Sequence, residues 1–173
     1  MGEISDFDFF YKALGQDYCC VGISYPLVST NFDEYIENLK KIVLEFKTPR
    51  FILGYSMGGR IALGLSSKYP ELFQKQIILS AHPGLLDKNE KLDREQADQR
   101  IFRDIINESS WRAFLGQWYQ QSLFGNISHD PNFHQLIKKD FSLLARYQQQ
   151  INNFSLGLQD NYWHQKTLTH YIA

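Results

Sequence analysis

A glycine-serine-glycine spacing, Gly54-Tyr55-Ser56-Met57-Gly58, lies directly after the apolar run Phe51-Ile52-Leu53 and directly before an apolar stretch of helical period over residues 61–69. A G-x-S-x-G set between a strand and a helix predicts a sharp, strained turn. Its flanks must be small, because side chains there would collide with the neighbouring elements. The turn lifts the hydroxyl of Ser56 clear of the sheet. It also aims the Met57 backbone N–H, at a helix N-terminus, toward the place where negative charge would develop, which is half of an oxyanion hole. If Gly and Ser each make up about 7% of residues, chance supplies the pattern about 0.06 times in a chain of this length. A nucleophile elbow is therefore a better reading than an idle serine in a glycine-rich turn.

The first half of the chain continues this alternation of strand and helix. Residues 18–23 form an apolar run that predicts a buried strand, after a helix over 7–14 and before the turn-prone Ser24-Tyr25-Pro26. Phe32, Tyr35, Ile36, Leu39, Val43 and Phe46 keep helical spacing behind Thr30 or Asn31 as N-cap. Thr48-Pro49 ends that helix, Pro70 ends the one after the elbow, and residues 76–80 supply a third strand. Connections this short imply parallel strands joined by right-handed crossovers, hence an α/β fold whose sheet is covered on both faces. Beyond Leu86 the Val/Ile strands stop. Charged, Gln-rich segments of helical period over about 90–108, 110–122, 132–150 and 151–158 predict a helical cap, and residues 168–173 alternate like a returning strand. The chain divides into a core with the elbow (1–86), a cap (87–160) and a return to the core (161–173).

Composition narrows the class of partner. The 173 residues suffice for one globular unit, and 43% hydrophobic with 21% charged residues excludes a disordered chain. Eighteen Lys+Arg against nineteen Asp+Glu provide no basic field, so neither a nucleic acid nor a membrane partner is expected. No apolar stretch approaches the roughly 20 residues that span a bilayer, and the start carries no basic segment with an apolar run. The adjacent Cys19 and Cys20 would point to opposite faces of a strand, which disfavours a mutual disulfide and predicts buried reduced thiols in a cytoplasmic protein. No His/Cys/carboxylate cluster has ligand spacing, so no metal or other cofactor is expected. A monomer acting on a small molecule is the expectation.

A serine is a poor nucleophile or base until a histidine and an orienting carboxylate activate it, and at such an elbow these follow in the order Ser, acid, His on loops after later strands. The pairs available are Asp130 with His129 or His134, and Asp160 with His164 or His170, and none follows a convincing strand. His170 lies inside the last strand itself. His82 sits in a Pro-Gly turn and reads as structural.

Gly54-Tyr55-Ser56-Met57-Gly58-Gly59-Arg60, Ala81-His82-Pro83-Gly84-Leu85, Arg94, Trp118-Tyr119-Gln120-Gln121 and Ser155-Leu156-Gly157-Leu158-Gln159 together resemble the 2-succinyl-6-hydroxy-2,4-cyclohexadiene-1-carboxylate synthases of menaquinone biosynthesis. The resemblance covers nearly the whole chain. It implies a partial α/β-hydrolase fold, a parallel sheet with flanking helices and a helical cap. It also implies cofactor-free lyase chemistry, the elimination of pyruvate from 2-succinyl-5-enolpyruvyl-6-hydroxy-3-cyclohexene-1-carboxylate. Carried onto this sequence, it assigns Ser56 as the catalytic group, Met57 to the oxyanion hole, and Tyr55, Arg60, Arg94, Trp118 and Tyr119 to an anionic small-molecule substrate. Arg100 rivals Arg94, and a further cap arginine of the family falls near Lys138-Lys139.

Guanidinium groups suit a multiple anion because their planar fork holds a carboxylate bidentately. Proton abstraction beside a carbonyl builds the negative charge that an oxyanion hole stabilises. Two structural readings stay open beside these roles: Arg60 pairing near its own helix, and Trp118 and Tyr119 packing the cap. Two functional alternatives also stay open, a serine ester hydrolase of the same fold and a non-catalytic remnant or module acting through a partner chain. The family's early strands, its His-Gly-Phe-type loop and its late aspartate and histidine have no counterpart. The sequence is accordingly expected to be truncated at both ends, with unpaired sheet edges, poor stability and no activity as it stands.

Overall fold

In the computed structural model, which describes residues 4–24, 31–164 and 168–172, a 3-10 turn (Ile4–Phe7) leads into α1 (Asp8–Leu14). The strand expected over 18–23 does not form: residues 19–24 are irregular, with Val21 and Ile23 exposed. An apolar run becomes a strand only where a ladder partner takes its backbone groups, and this one pairs with none of the described strands. The same exposure corrects the expected buried thiols, since Cys19 is exposed and Cys20 half-buried, both unbridged. The Tyr25-Pro26 part of the expected turn lies outside the described residues, as do Thr30 and Ala173.

The helix α2 (Phe32–Leu44) begins where Asn31 Oδ1 accepts the Glu34 backbone N–H at 2.9 Å, and it buries Phe32, Tyr35, Ile36, Leu39 and Val43 along one stripe. Next come β1 (Phe51–Tyr55), α3 (Met57–Lys68) and β2 (Lys75–Leu79). The cap region holds α4 (Lys88–Arg100), α5 (Glu108–Trp118), the short α6 (Phe133–Leu136) and α7 (Leu144–Asn153). The single helix expected over 132–150 is broken at its middle. There the Asp140 carboxylate accepts the Ser142 N–H at 2.8 Å, and the Lys139 carbonyl accepts the Trp111 indole N–H at 2.8 Å. Both contacts satisfy groups that a continuous helix would have used itself.

The strand β3 (Leu168–Ile172) completes a parallel sheet of order β1-β2-β3, in which Tyr55 stands beside Leu79 and Leu79 beside Ile172. Along β2, Gln76 and Ile78 are buried while Lys75 and Ile77 are exposed. Coverage of both faces was the expectation, and among the described residues one face stays largely open. Ile78 packs with α2 and α3 in one core, whereas among the described residues Phe51, Tyr55, Ile77 and Ile172 remain 37–57% exposed. A buried polar chain crosses the covered face: Ser66 Oγ donates to Gln76 Oε1 at 2.8 Å and Gln76 Nε2 donates to Thr169 Oγ1 at 2.7 Å, linking α3, β2 and β3. The cap has its own core of Phe102, Trp111, Leu115, Tyr119 and Tyr147, with Trp111 stacked on Phe114 and on Tyr147.

Gln76→Ala removes both links of the polar chain and leaves a void in a close-packed site, so urea denaturation should show a loss of about 2–4 kcal/mol. Burial raises the Tyr35 hydroxyl from 10.0 to about 12. The unfolded chain therefore ionises this group before the folded one does. The contribution of Tyr35 is complete below pH 10 and is lost as pH rises toward about 12, and Tyr35→Phe should flatten the decline of unfolding free energy over that window.

Candidate active site

Ser56 follows the last residue of β1 with φ 50° and ψ −118°, a positive-φ conformation that serine adopts only under constraint. The constraint is visible in the backbone. Its N–H donates to Leu79 O at 2.9 Å and its C=O accepts from Arg60 N at 3.0 Å, so the residue is tied both to β2 and to the first turn of α3. Close approach fixes the flanks: a Cβ on Gly59 would stand 2.6 Å from Ala81 Cβ, and one on Gly54 would overlap Gly58. Ser56 is exposed, and its hydroxyl has no hydrogen-bond partner among the described residues. Met57 supplies the first backbone N–H of α3, one of the amides that a helix leaves without an internal acceptor. Tyr55 is 47% exposed at the end of β1.

Arg60 turns toward the end of the cap. Its Nη1 donates to Gln159 Oε1 at 3.2 Å and its Nη2 to Phe154 O at 2.6 Å. Gln159, fully buried, also donates through Nε2 to His82 O at 3.4 Å, and its carbonyl accepts Lys91 Nζ at 2.7 Å. This four-way junction joins the elbow helix, the loop after β2, the start of α4 and the end of the cap. Tyr162 N–H to Pro83 O at 2.8 Å and Trp163 Nε1–H to Gly84 O at 3.0 Å fasten the same loop to the returning chain.

The other sites named from sequence lie in the cap. Arg94 Nε is paired with Asp98 at 2.9 Å, a carboxylate that is 5% exposed. Arg100 closes the same helix. The Trp118 ring lies against Phe114 and Phe124, and Tyr119 is buried against Phe124 and Phe133, so both belong to the cap core. No hydrogen bond or ion pair joins Arg94 or Trp118 to Ser56 among the described residues. Trp118 Nε1 and Arg146 Nε are buried donors without partners there. Lys138 and Lys139, with Arg112 and Glu108, line a hollow of about 460 Å3 in the cap to which Ser56 and Arg60 do not contribute.

The histidines do not complete the serine. His82 Nδ1 accepts the Gly84 N–H at 3.1 Å and its ring meets Trp163 edge-on. His129, His134, His164 and His170 are all exposed, and none bonds Ser56 among the described residues. No group of three His, Cys, Asp or Glu that could hold a metal occurs among those residues, and none of their helices is long and apolar enough to cross a membrane. Gln159 and Lys91 were not singled out for a role from sequence. Gln159 lies in the quoted Ser155-Leu156-Gly157-Leu158-Gln159 segment, but only the fold shows that its amide is buried between two elements. Arg146 carries no sequence signal beyond its charge.

A family model described as serine aminopeptidase, S33, matches residues 21–169. The chain is 26% identical over 121 residues to 2-succinyl-6-hydroxy-2,4-cyclohexadiene-1-carboxylate synthase of Escherichia coli K12, covering 69% of this chain and 48% of that protein. With the synthase of Escherichia coli O9:H4 it shares 24% identity over 150 residues, covering 86% of this chain and 59% of that protein. The chain thus spans about half the length of the curated relatives it matches. Among solved structures, MenH from S. aureus superposes with a TM-score of 0.82 at 22% identity, over 99% of this chain and 70% of that one. A hydrolase from Pseudomonas aeruginosa PA01 superposes at 0.62 and 16% identity, over 98% and 66% of the two chains. The match over most of the chain and the shared architecture make this protein a member of the serine aminopeptidase S33 family, with the α/β-hydrolase fold.

Proposed function

We propose that this chain carries the elbow and cap of a pyruvate-eliminating lyase of the 2-succinyl-6-hydroxy-2,4-cyclohexadiene-1-carboxylate synthase type. The observation that supports it most is Ser56, exposed in a positive-φ turn at the start of α3, in a chain similar to the Escherichia coli synthases. In this reading Ser56 Oγ, once deprotonated, takes a proton from the substrate ring. The electron pair of the broken C–H bond forms the new ring double bond, and the C–O bond to the enolpyruvyl group breaks, releasing pyruvate as its enolate. The Met57 N–H faces the charge that develops. Tyr55, Arg94 and the Trp118 Nε1 and Arg146 Nε donors, which have no partner among the described residues, are the groups proposed to bind the anionic small molecule. Arg60, held by Gln159 and Phe154, would act mainly by fixing the elbow helix.

A second reading, serine ester or amide hydrolysis, draws support from the family description and from the prior engagement of Arg60 and Arg94 within the chain. That engagement leaves fewer guanidinium donors for carboxylates. Incubating the purified chain with 2-succinyl-5-enolpyruvyl-6-hydroxy-3-cyclohexene-1-carboxylate and assaying pyruvate separates the two. Against the inactivity expected from the sequence, the lyase reading predicts slow release: without a histidine bonded to Ser56 among the described residues the base loses a factor of about 10²–10⁴, which should still leave release at least about tenfold above Ser56→Ala. Release equal to that control contradicts the lyase reading, and Ser56-dependent turnover of p-nitrophenyl esters in its place would establish the second.

A further inference from the structure

Two non-glycine residues among those described have positive φ, Ser56 at 50° and Ser80 at 46°. They are neighbours. The parallel register that pairs Tyr55 with Leu79 makes Ser56 and Ser80 the next pair beyond the ends of β1 and β2. Backbone bonds extend the two ladders of β2 past the strand ends, Ser56 N–H to Leu79 O at 2.9 Å toward β1 and Ser80 N–H to Ile172 O at 2.8 Å toward β3. Ala81, the next residue, approaches Gly59 in the first turn of α3, so the Ser80 turn abuts the elbow helix directly. Both serines are exposed, and neither hydroxyl has a hydrogen-bond partner among the described residues.

A positive φ disfavours any residue with a Cβ, and glycine would adopt it without that penalty. The strain at Ser56 is explained by lifting a nucleophile. At Ser80 the side chain makes no bond among the described residues that offsets its strain, so their packing gives no reason for a serine there. We infer that the Ser80 hydroxyl is a second substrate-contacting group, which donates to an anionic oxygen, a carboxylate or enolate, of the molecule engaged by Ser56. This rests on Ser56 being the reactive group proposed above.

The test is the rate at which a fluorophosphonate probe forms its adduct at Ser56, followed by mass spectrometry in the wild-type chain and in Ser56→Ala, Ser80→Ala, Ser80→Gly and Ser80→Asn. The phosphoryl oxygen of the probe stands in for the anionic oxygen. Asparagine tolerates positive φ and keeps an N–H donor. The expected order has wild type and Ser80→Asn labelling about tenfold or more faster than Ser80→Ala and Ser80→Gly, with Tm of Ser80→Gly unchanged within about 4 °C. Equal rates in all Ser80 variants and wild type overturn the inference and leave the Ser56 reading standing. A Ser80→Asn rate as low as that of Ser80→Gly also overturns it, because the position would then act through its backbone. No adduct in wild type above Ser56→Ala removes the reading of Ser56 and this inference with it.

Discussion

The side-chain amide of Gln159 is fully buried, accepting from Arg60 on the elbow helix and donating to His82 O in the loop after β2, while the backbone carbonyl of the same residue accepts from the Lys91 ammonium of α4. A buried amide without partners is costly, so the chain leaving the cap is held where the Arg60 guanidinium and the His82 carbonyl meet Gln159. That requirement ties both ends of the cap to the elements carrying Ser56 and His82. It also sets the role of Arg60. A guanidinium committed to Gln159 Oε1 and Phe154 O holds the cap end against α3, and its charge reaches a ligand only beyond those bonds.

The rest of the site follows from close approach at the strand ends. Ser56 bonds Leu79 O, and Gly59 leaves room for Ala81, so β1, α3 and the turn after β2 are fixed within one contact shell. Beneath them the Ser66, Gln76 and Thr169 bonds align the three strands from inside the core. The cap stands on a separate aromatic core around Trp111. Two cores joined by a short buried return make the junction at Gln159 the place where cap position is decided.

Much of this was legible in the sequence wherever one local rule sufficed. The stripe of α2 and its Asn31 cap, the elbow, β1 and β2 all rest on periodicity or turn chemistry that needs no distant partner. The failures depend on long-range pairing. Residues 19–24 have strand-like composition but no ladder to join, and the helix expected over 132–150 breaks where Trp111, distant in sequence, takes the Lys139 carbonyl. For Arg60 the sequence left open a substrate role, which the resemblance implies, and pairing near its own helix, whereas its bond to Gln159 spans 99 residues and leaves no local signal. Trp118 and Tyr119 carried the same ambiguity, and their rings pack within the cap.

A double-mutant cycle between Arg60 and Gln159 measures the junction most directly. Unfolding free energies of Arg60→Ala, Gln159→Ala and the double variant, from urea denaturation, should give a coupling of about 1–3 kcal/mol, since one charged donor and a buried acceptor are removed together. Additivity within about 0.5 kcal/mol would contradict the account, because the cap would then be held to the elbow by something other than this bond.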